Sequence, residues 1–105
     1  MKLSIFILGI IISINVGASE FCYQLYDFSS KVMQMRQQNT PIIEQMRIVE
    51  RMRKANPQNK PVHDLFSKVI ATAYKEPRYE LKENQEKSMK DFANEWAALC
   101  YAKEQ

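Results

Sequence analysis

Glycine, cysteine and histidine are all scarce in this chain, and their scarcity narrows what the protein can do. The 105 residues include two glycines, two cysteines and one histidine. So few cysteines and histidines do not make a tetrahedral metal site, which takes four ligands. Both glycines lie within the first 17 residues, and no later stretch alternates apolar and polar residues over the length of a strand. The absence of this alternation argues against β-strands and favours an all-α protein.

The residue patterns that support catalysis are equally sparse. His63 is the sole histidine, and Asp64 beside it points in a different direction if both lie on a helix. A nucleophile needs a base within hydrogen-bonding reach, and no serine lies in a recognisable turn motif. The twelve acidic residues fall mostly on helix faces patterned for solvent, so nothing indicates a pair of carboxyl groups in a cleft. We therefore expect no enzymatic activity, no cofactor and no metal, and we interpret His63 as an exposed or half-buried bystander.

No apolar run comfortably reaches the roughly twenty residues that a membrane-spanning helix needs. The longest one, residues 3–14, follows Lys2 and precedes Val16-x-Ala18, a small-residue form that signal peptidase accepts. This pattern predicts a cleaved signal peptide over residues 1–18 and a mature domain over residues 19–105. The alternative is a retained segment that tethers the domain to a membrane. A lipoprotein is disfavoured because bulky Phe21 precedes Cys22, where lipid attachment takes a small residue.

The two cysteines, Cys22 and Cys100, stand near the two ends of the predicted mature domain. Export takes a protein into an oxidising compartment, where such a pair usually forms a disulfide. A domain of this size has a thin core, and closing so long a loop is expected to stabilise it by about 4 kcal/mol. Two unpaired buried thiols, or a bond between two chains, are the alternatives.

Apolar spacing and proline positions divide the mature chain into four predicted helices. Their ranges are 20–38, 41–55, 61–76 and 82–103. Pro41 and Pro61 stand where helices begin, Thr40 is the expected N-cap of the second helix, and Pro77 ends the third. The third helix is the most apolar and the most sharply bounded, so we expect the other helices to pack around it.

The last helix has a predicted inner face made of Met89, Phe92, Ala93, Trp96, Leu99 and Cys100. If this face packs against the first helix, the terminal helices lie side by side. We thus expect a compact four-helix domain in which a Cys22–Cys100 disulfide joins the first helix to the last.

Basic residues on the second helix are the best candidates for a binding face. Arg47, Arg51 and Lys54 follow one another at i, i+4 and i+7 and therefore share one side of the helix. Such a stripe is either a solvated face or a site for an acidic protein patch, a lipid headgroup or an anionic cell-wall polymer. Tyr79, in the corner before the last helix, is a second candidate as an aromatic anchor.

The net charge of +3 at pH 7 is mild and does not by itself imply an anionic partner. Predicted export and the lack of a nucleic-acid-binding motif make nucleic acid an unlikely ligand class. We expect a membrane contact only if the signal peptide is retained. The expected partner is therefore a protein, with an acidic patch if the basic residues are used.

Several short motifs resemble a group of exported proteins. They are an early Cys22, Met35-Arg-Gln-Gln38 followed by Pro41, Ala73-Tyr-Lys-Glu-Pro-Arg-Tyr79, Phe92-Ala-Asn94 and Leu99-Cys-Tyr101. Together they resemble small, single-disulfide helical proteins of Gram-negative bacteria and their phages and prophages, a mostly uncharacterised group. The resemblance implies a periplasmic helical domain and brings no active site. Asn39 departs from the pattern, in which glycine is common before the second helix.

The function that we expect is that of a non-enzymatic interaction protein, periplasmic or secreted. By analogy of size and location, its partner is an envelope or lysis-related protein that it inhibits or regulates. The alternative is a small periplasmic stress chaperone. A chaperone of this kind would expose Phe66, Phe92 and Trp96 when its helices loosen.

Overall fold

The computed structural model describes residues 17–103, which form four α-helices. These are α1 (Ala18–Gln37), α2 (Ile42–Ala55), α3 (Lys60–Ala73) and α4 (Lys82–Lys103), with one 3-10 turn at Pro57–Asn59 between α2 and α3. No strand occurs within residues 17–103, so the prediction of an all-α, four-helix domain is confirmed. The predicted signal peptide lies almost wholly outside the described residues, and its cleavage stays a prediction.

Asn39 closes the end of α1 in a left-handed backbone conformation, with φ of 69°. Its N–H donates to the carbonyl of Arg36 at 3.0 Å, and the N–H of Thr40 donates to the carbonyl of Met35 at 2.9 Å. This pair of bonds is the Schellman closure of a helix C-terminus, in which the left-handed residue is usually glycine. Asparagine tolerates that conformation better than most residues, which explains how Asn39 can take the place of a glycine here.

Five of the eight predicted helix boundaries differ from the structure, by one to three residues, and two of these differences have a clear cause. Pro41 is extended, with ψ of 143°, and α2 begins one residue later, so the prediction of Thr40 as its N-cap is wrong. The carbonyl of Thr40 instead accepts a hydrogen bond from the hydroxyl of Tyr74. The third helix ends at Ala73 rather than at residue 76. Pro77 restricts the residue before it, and residues 74–76 unwind into turns ahead of that constraint.

The first and last helices form the most extensive interface among the described residues. A disulfide between Cys22 and Cys100 joins the start of α1 to the end of α4, with 5.6 Å between the two Cα atoms. The two helices therefore run antiparallel and side by side, and both the disulfide and this arrangement are confirmed as predicted. Disulfides of this kind are typical of an oxidising, non-cytoplasmic compartment.

The first helix, rather than the third, occupies the centre of the domain. It packs against both α4 and α3, whereas α3 packs against α1 and α2. One pair of stacked rings, Phe28 of α1 and Phe66 of α3, has centroids 4.1 Å apart. The expectation that the other helices surround α3 is thus not met, because α1 is longer than α3 and makes the extensive interface with α4. The buried apolar cluster consists of Leu25, Val32, Met33, Val49, Val69, Ile70, Ala73 and Phe92.

Leu99 is the exception on the predicted inner face of the last helix. Its side chain is 62% exposed, whereas Phe92 and Ala93 are buried as expected. Leu99 lies one residue before the disulfide, at an end of the domain that α2 does not cover. No helix within residues 17–103 is long and apolar enough to span a membrane.

Candidate interaction surface

The second helix lies at the edge of the domain. It packs chiefly against α3, and of its fourteen residues Gln45 and Val49 are the ones that are fully buried. Most of its remaining surface is therefore open to solvent. A helix held on one side in this way presents a broad face on which a partner can bind.

That open side carries the basic surface, which we define as Arg47, Arg51 and Lys54. All three side chains are exposed. None of them takes part in an ion pair within residues 17–103, and Glu50, on the same helix, pairs with none of them. Their charges are thus not neutralised by direct contacts in this part of the chain.

Arg53 behaves differently although it lies on the same helix. Its guanidinium forms an ion pair with Asp64 at 3.0 Å and donates a hydrogen bond to the hydroxyl of Ser67 at 3.3 Å. Lys60 also contacts Asp64, at 2.6 Å. Hydrogen bonds from Lys60 and Arg53 hold the pKa of Asp64 below its ordinary value. Arg53 therefore links α2 to α3, and the charge of Asp64 is already engaged away from the basic surface.

Exposed isoleucines flank the basic surface. Ile43 is 56% exposed and precedes Arg47 by one helical turn, and exposed Ile48 precedes Arg51 by three residues. The sequence pattern predicts that Ile43 and Ile48 flank a buried face; in the structure Ile43 lies mostly in solvent and Ile48 is 37% exposed. A surface that mixes apolar and cationic side chains resembles a protein-binding patch more than a purely solvated face, because interface cores are depleted of charge and rims are polar.

Tyr79 is not part of this surface. Tyr79 lines a small cavity of about 190 Å³ with Met33 and Phe92, on the side of the domain that α4 covers. Its backbone N–H donates to the side-chain oxygen of Gln37 at 2.8 Å. Since α2 packs chiefly on α3, the structure does not bring the two predicted parts of the binding face together, and Tyr79 belongs to the corner after α3.

Polar side chains that sequence analysis did not single out hold this corner in place. Gln37 is buried, and its amide N–H donates to the carbonyl of Pro77 at 2.9 Å while its amide oxygen accepts from Tyr79. Arg78 donates to the backbone carbonyl of Gln37 at 3.1 Å, and Arg36 donates to the carbonyl of Glu76 at 3.0 Å. The motifs at residues 35–38 and 73–79 are therefore bonded to each other, and their role in this chain is to fix the fold.

Gln45 is the second buried glutamine that the sequence analysis missed. Its amide donates to the hydroxyl of Tyr74 at 2.8 Å and to the carbonyl of Val32 at 3.2 Å, which ties α2 to α1 and to the residue that follows α3. A sequence signal for these glutamines exists. Gln37 follows Met33 by four residues and Gln45 precedes Val49 by four, so each continues a buried line of its helix.

His63 is buried, with 3% of its surface exposed, so the interpretation of it as an exposed or half-buried side chain is wrong. Its Nδ1 has no hydrogen-bond partner within residues 17–103. The side chain lies on the buried line of α3 that continues through Ile70, seven residues later. Within residues 17–103, no group of three or more histidine, cysteine, aspartate or glutamate side chains is arranged to hold a metal ion.

The aromatic residues that a stress chaperone would expose lie within the folded domain. Phe66 stacks on Phe28, and Phe92 is buried with its ring centroid 6.3 Å from that of Trp96. Trp96 is half-buried beside the disulfide. The chaperone alternative therefore requires the helices to separate before these side chains reach solvent.

Comparison of the chain with known family models, curated proteins and solved structures finds no match. The resemblance to small exported proteins consequently remains an expectation. Its own surface is the remaining guide to function, and the basic surface on α2 groups three exposed cations that form no ion pair among the described residues.

Proposed function

We propose that this protein is an exported, non-enzymatic interaction protein that binds an acidic protein partner through the basic surface. The supporting observation is that Arg47, Arg51 and Lys54 are exposed and engaged in no ion pair within residues 17–103. Exposed isoleucines beside them supply apolar area for a contact. An acidic patch on a partner would complement these charges, accelerate association and fix the orientation of docking.

The place of action that we propose is the periplasm or the extracellular medium. The predicted signal peptide and the disulfide support export, and the disulfide favours an oxidising compartment. The partner that we propose is an envelope or lysis-related protein, which this domain inhibits or regulates. Support for that partner comes from analogy of size, location and the resemblance to phage and bacterial exported proteins.

A charge reversal within the basic surface tests the proposal. Arg51→Glu replaces an attractive cation with a repulsive anion, and exposed charge pairs each contribute about 0.2 to 1 kcal/mol. Losing one pair and creating a like-charge contact should therefore weaken the complex by about tenfold in Kd. The fold should be unaffected because Arg51 is exposed and contacts no charged group among the described residues.

The experiment is a crosslinked pull-down of the mature protein from its own exported compartment, with bound proteins identified by mass spectrometry. Lys90→Glu is the matched control, because Lys90 is an exposed helical cation on α4 without an ion pair in the described range. We expect one stoichiometric partner with wild type and with Lys90→Glu, and clearly reduced recovery with Arg51→Glu. Equal recovery of that partner by Arg51→Glu contradicts the proposal.

A further inference from the structure

A groove of about 580 Å³ opens at the disulfide end of the domain, between α1, α3 and α4. Its volume lies within the range of small-molecule binding sites. None of its lining residues belongs to α2, so it is separate from the basic surface. The large apolar side chains of its wall are those of Phe21, Leu25, Leu65, Trp96 and Leu99.

The groove exposes apolar side chains that the domain leaves uncovered. Leu99 occupies a position that helical periodicity assigns to the interior, yet most of its surface is in solvent. Trp96 and Leu65 are half-buried rather than enclosed. Because α2 packs along a different part of α3, no fourth helix closes this end among residues 17–103.

Two lysines, Lys68 and Lys103, are the charged side chains of the groove. Both are exposed, and neither forms an ion pair within residues 17–103. Asp64 lies one turn before Lys68 on α3, but its carboxylate is held by Lys60 and Arg53. The groove thus combines apolar walls with two cations that have no acidic partner in the described part of the chain.

We propose that this groove binds a single-chain anionic amphiphile, a molecule of the fatty-acid class. Its alkyl chain would lie against Trp96 and Leu99, where it removes apolar surface from water. Its anionic headgroup would lie near Lys68 and Lys103, which supply the opposite charge. No ion pair within residues 17–103 would have to break for this contact to form. The match of an apolar interior with cationic side chains singles out this class over a neutral or a cationic amphiphile.

Trp96 is the only tryptophan in the sequence and lines the groove, so its fluorescence reports on occupancy directly. The experiment titrates the mature, oxidised protein with laurate, decanoate and dodecyltrimethylammonium, each below its critical micelle concentration. We expect a saturable change with laurate. Each buried CH₂ contributes about fourfold to affinity, so decanoate, two carbons shorter, should bind about fifteenfold more weakly. Dodecyltrimethylammonium, with the same chain length and the opposite charge, should bind more weakly than laurate.

Variants separate the two parts of the proposed site. The double substitution Lys68→Gln/Lys103→Gln should weaken laurate binding by about five- to tenfold, since it removes two exposed charge interactions. The matched control is Lys75→Gln/Lys90→Gln, which removes two exposed cations outside the groove and should bind laurate like wild type. Leu99→Asn should also weaken binding, and it should fold normally because Leu99 is already largely in solvent.

Three results would overturn the proposal. One is the absence of a saturable change in Trp96 fluorescence with laurate. Another is equal affinity of laurate for the wild type and for Lys68→Gln/Lys103→Gln. The third is a dimer, detected by sedimentation, that binds laurate only after it dissociates. A second copy of the chain would then be the occupant of the groove. Arg51→Glu should bind laurate like wild type, because Arg51 lies outside the groove. A failure of the groove proposal therefore does not affect the proposed protein partner, and a failure of the partner proposal does not affect the groove.

Discussion

Gln37 offers a stringent test of how the fold is held together. Its side chain is 2% exposed. The amide N–H and the amide oxygen of this side chain both form hydrogen bonds with backbone atoms of the corner after α3. The substitution Gln37→Leu keeps a similar volume and a similar helix propensity. It removes the acceptor for the N–H of Tyr79 and the donor for the carbonyl of Pro77, and it offers neither of them a replacement.

The expected loss can be worked from those two groups. A buried backbone group that loses its partner costs about 1 to 3 kcal/mol. Both contacts are partly buried, so water can reach the freed atoms to some extent and the lower half of that range applies. The added apolar contacts of leucine offset part of the loss. We therefore expect Gln37→Leu to lower the free energy of unfolding by about 2 kcal/mol.

Urea denaturation followed by circular dichroism measures this difference under oxidising conditions. Gln34→Leu, the same chemical change at an exposed position of α1, is the control and should alter stability by less than about 0.5 kcal/mol. Equal stability of Gln37→Leu and Gln34→Leu would refute the reasoning, because it would mean that the buried amide contributes no more than a surface glutamine.

Three further predictions concern the disulfide, the end of α1 and the pH dependence of stability. Cys100→Ser removes the cross-link between the terminal helices and should lower the free energy of unfolding by about 4 kcal/mol; unchanged stability in non-reducing denaturation would argue against pairing. Asn39→Ala should lower the free energy of unfolding by about 1 kcal/mol, and Asn39→Gly should not lower it, because glycine is the residue best suited to the left-handed φ. Equal losses of stability for the two variants in urea denaturation would contradict this explanation. Hydrogen bonds from Lys60 and Arg53 lower the pKa of Asp64 in the folded state. These bonds therefore stabilise the fold fully above the unfolded-state pKa of Asp64, and this stabilisation is lost as the pH falls through the folded-state pKa. Asp64→Asn should consequently be less stable than wild type at pH 7, with the difference in thermal midpoint shrinking as the pH falls below about 4; a difference that stays constant down to acid pH would contradict this assignment.

Much of the architecture was predictable because strong local signals agree with the tertiary structure. Proline positions and apolar spacing place all four helices to within a few residues. The pairing of Cys22 with Cys100 follows from their number, their positions and the predicted export. These signals are reliable because a proline limits the backbone directly and a two-cysteine chain has a single intramolecular pairing.

The buried polar residues were harder to predict. Gln37, Gln45 and His63 all lie at interior positions, yet glutamine and histidine are common on surfaces. The partners of Gln37 are backbone atoms of the corner after α3, and those of Gln45 are a carbonyl of α1 and the hydroxyl of Tyr74. Tertiary packing brings these atoms near the glutamines, and it leaves no local mark in the sequence. The prediction for Leu99 is wrong in the opposite direction, since it places an exposed side chain in the interior. The exposure of Leu99 depends on where α2 packs rather than on its own helix.

The candidate site was predicted in part. Helical spacing correctly places Arg47, Arg51 and Lys54 on one exposed side of α2, while Tyr79 belongs to a different part of the domain. Spacing along one helix is a local property, so it can be read from the sequence. Whether a cation on α2 has an acidic partner on another helix depends on tertiary packing. For this reason Arg53 forms an ion pair with Asp64, whereas Arg51, two residues away, forms none within residues 17–103.

The most direct test of the proposed function is the salt dependence of binding between the purified protein and the partner that it captures. Isothermal titration at about 50 and 300 mM salt compares wild type, Arg51→Glu and Lys90→Glu. Exposed charges are screened by salt, so wild type and Lys90→Glu should bind more weakly at the higher concentration, and Arg51→Glu should bind about tenfold more weakly than either at the lower one. Equal affinity of all three proteins, independent of salt, would contradict binding through the basic surface.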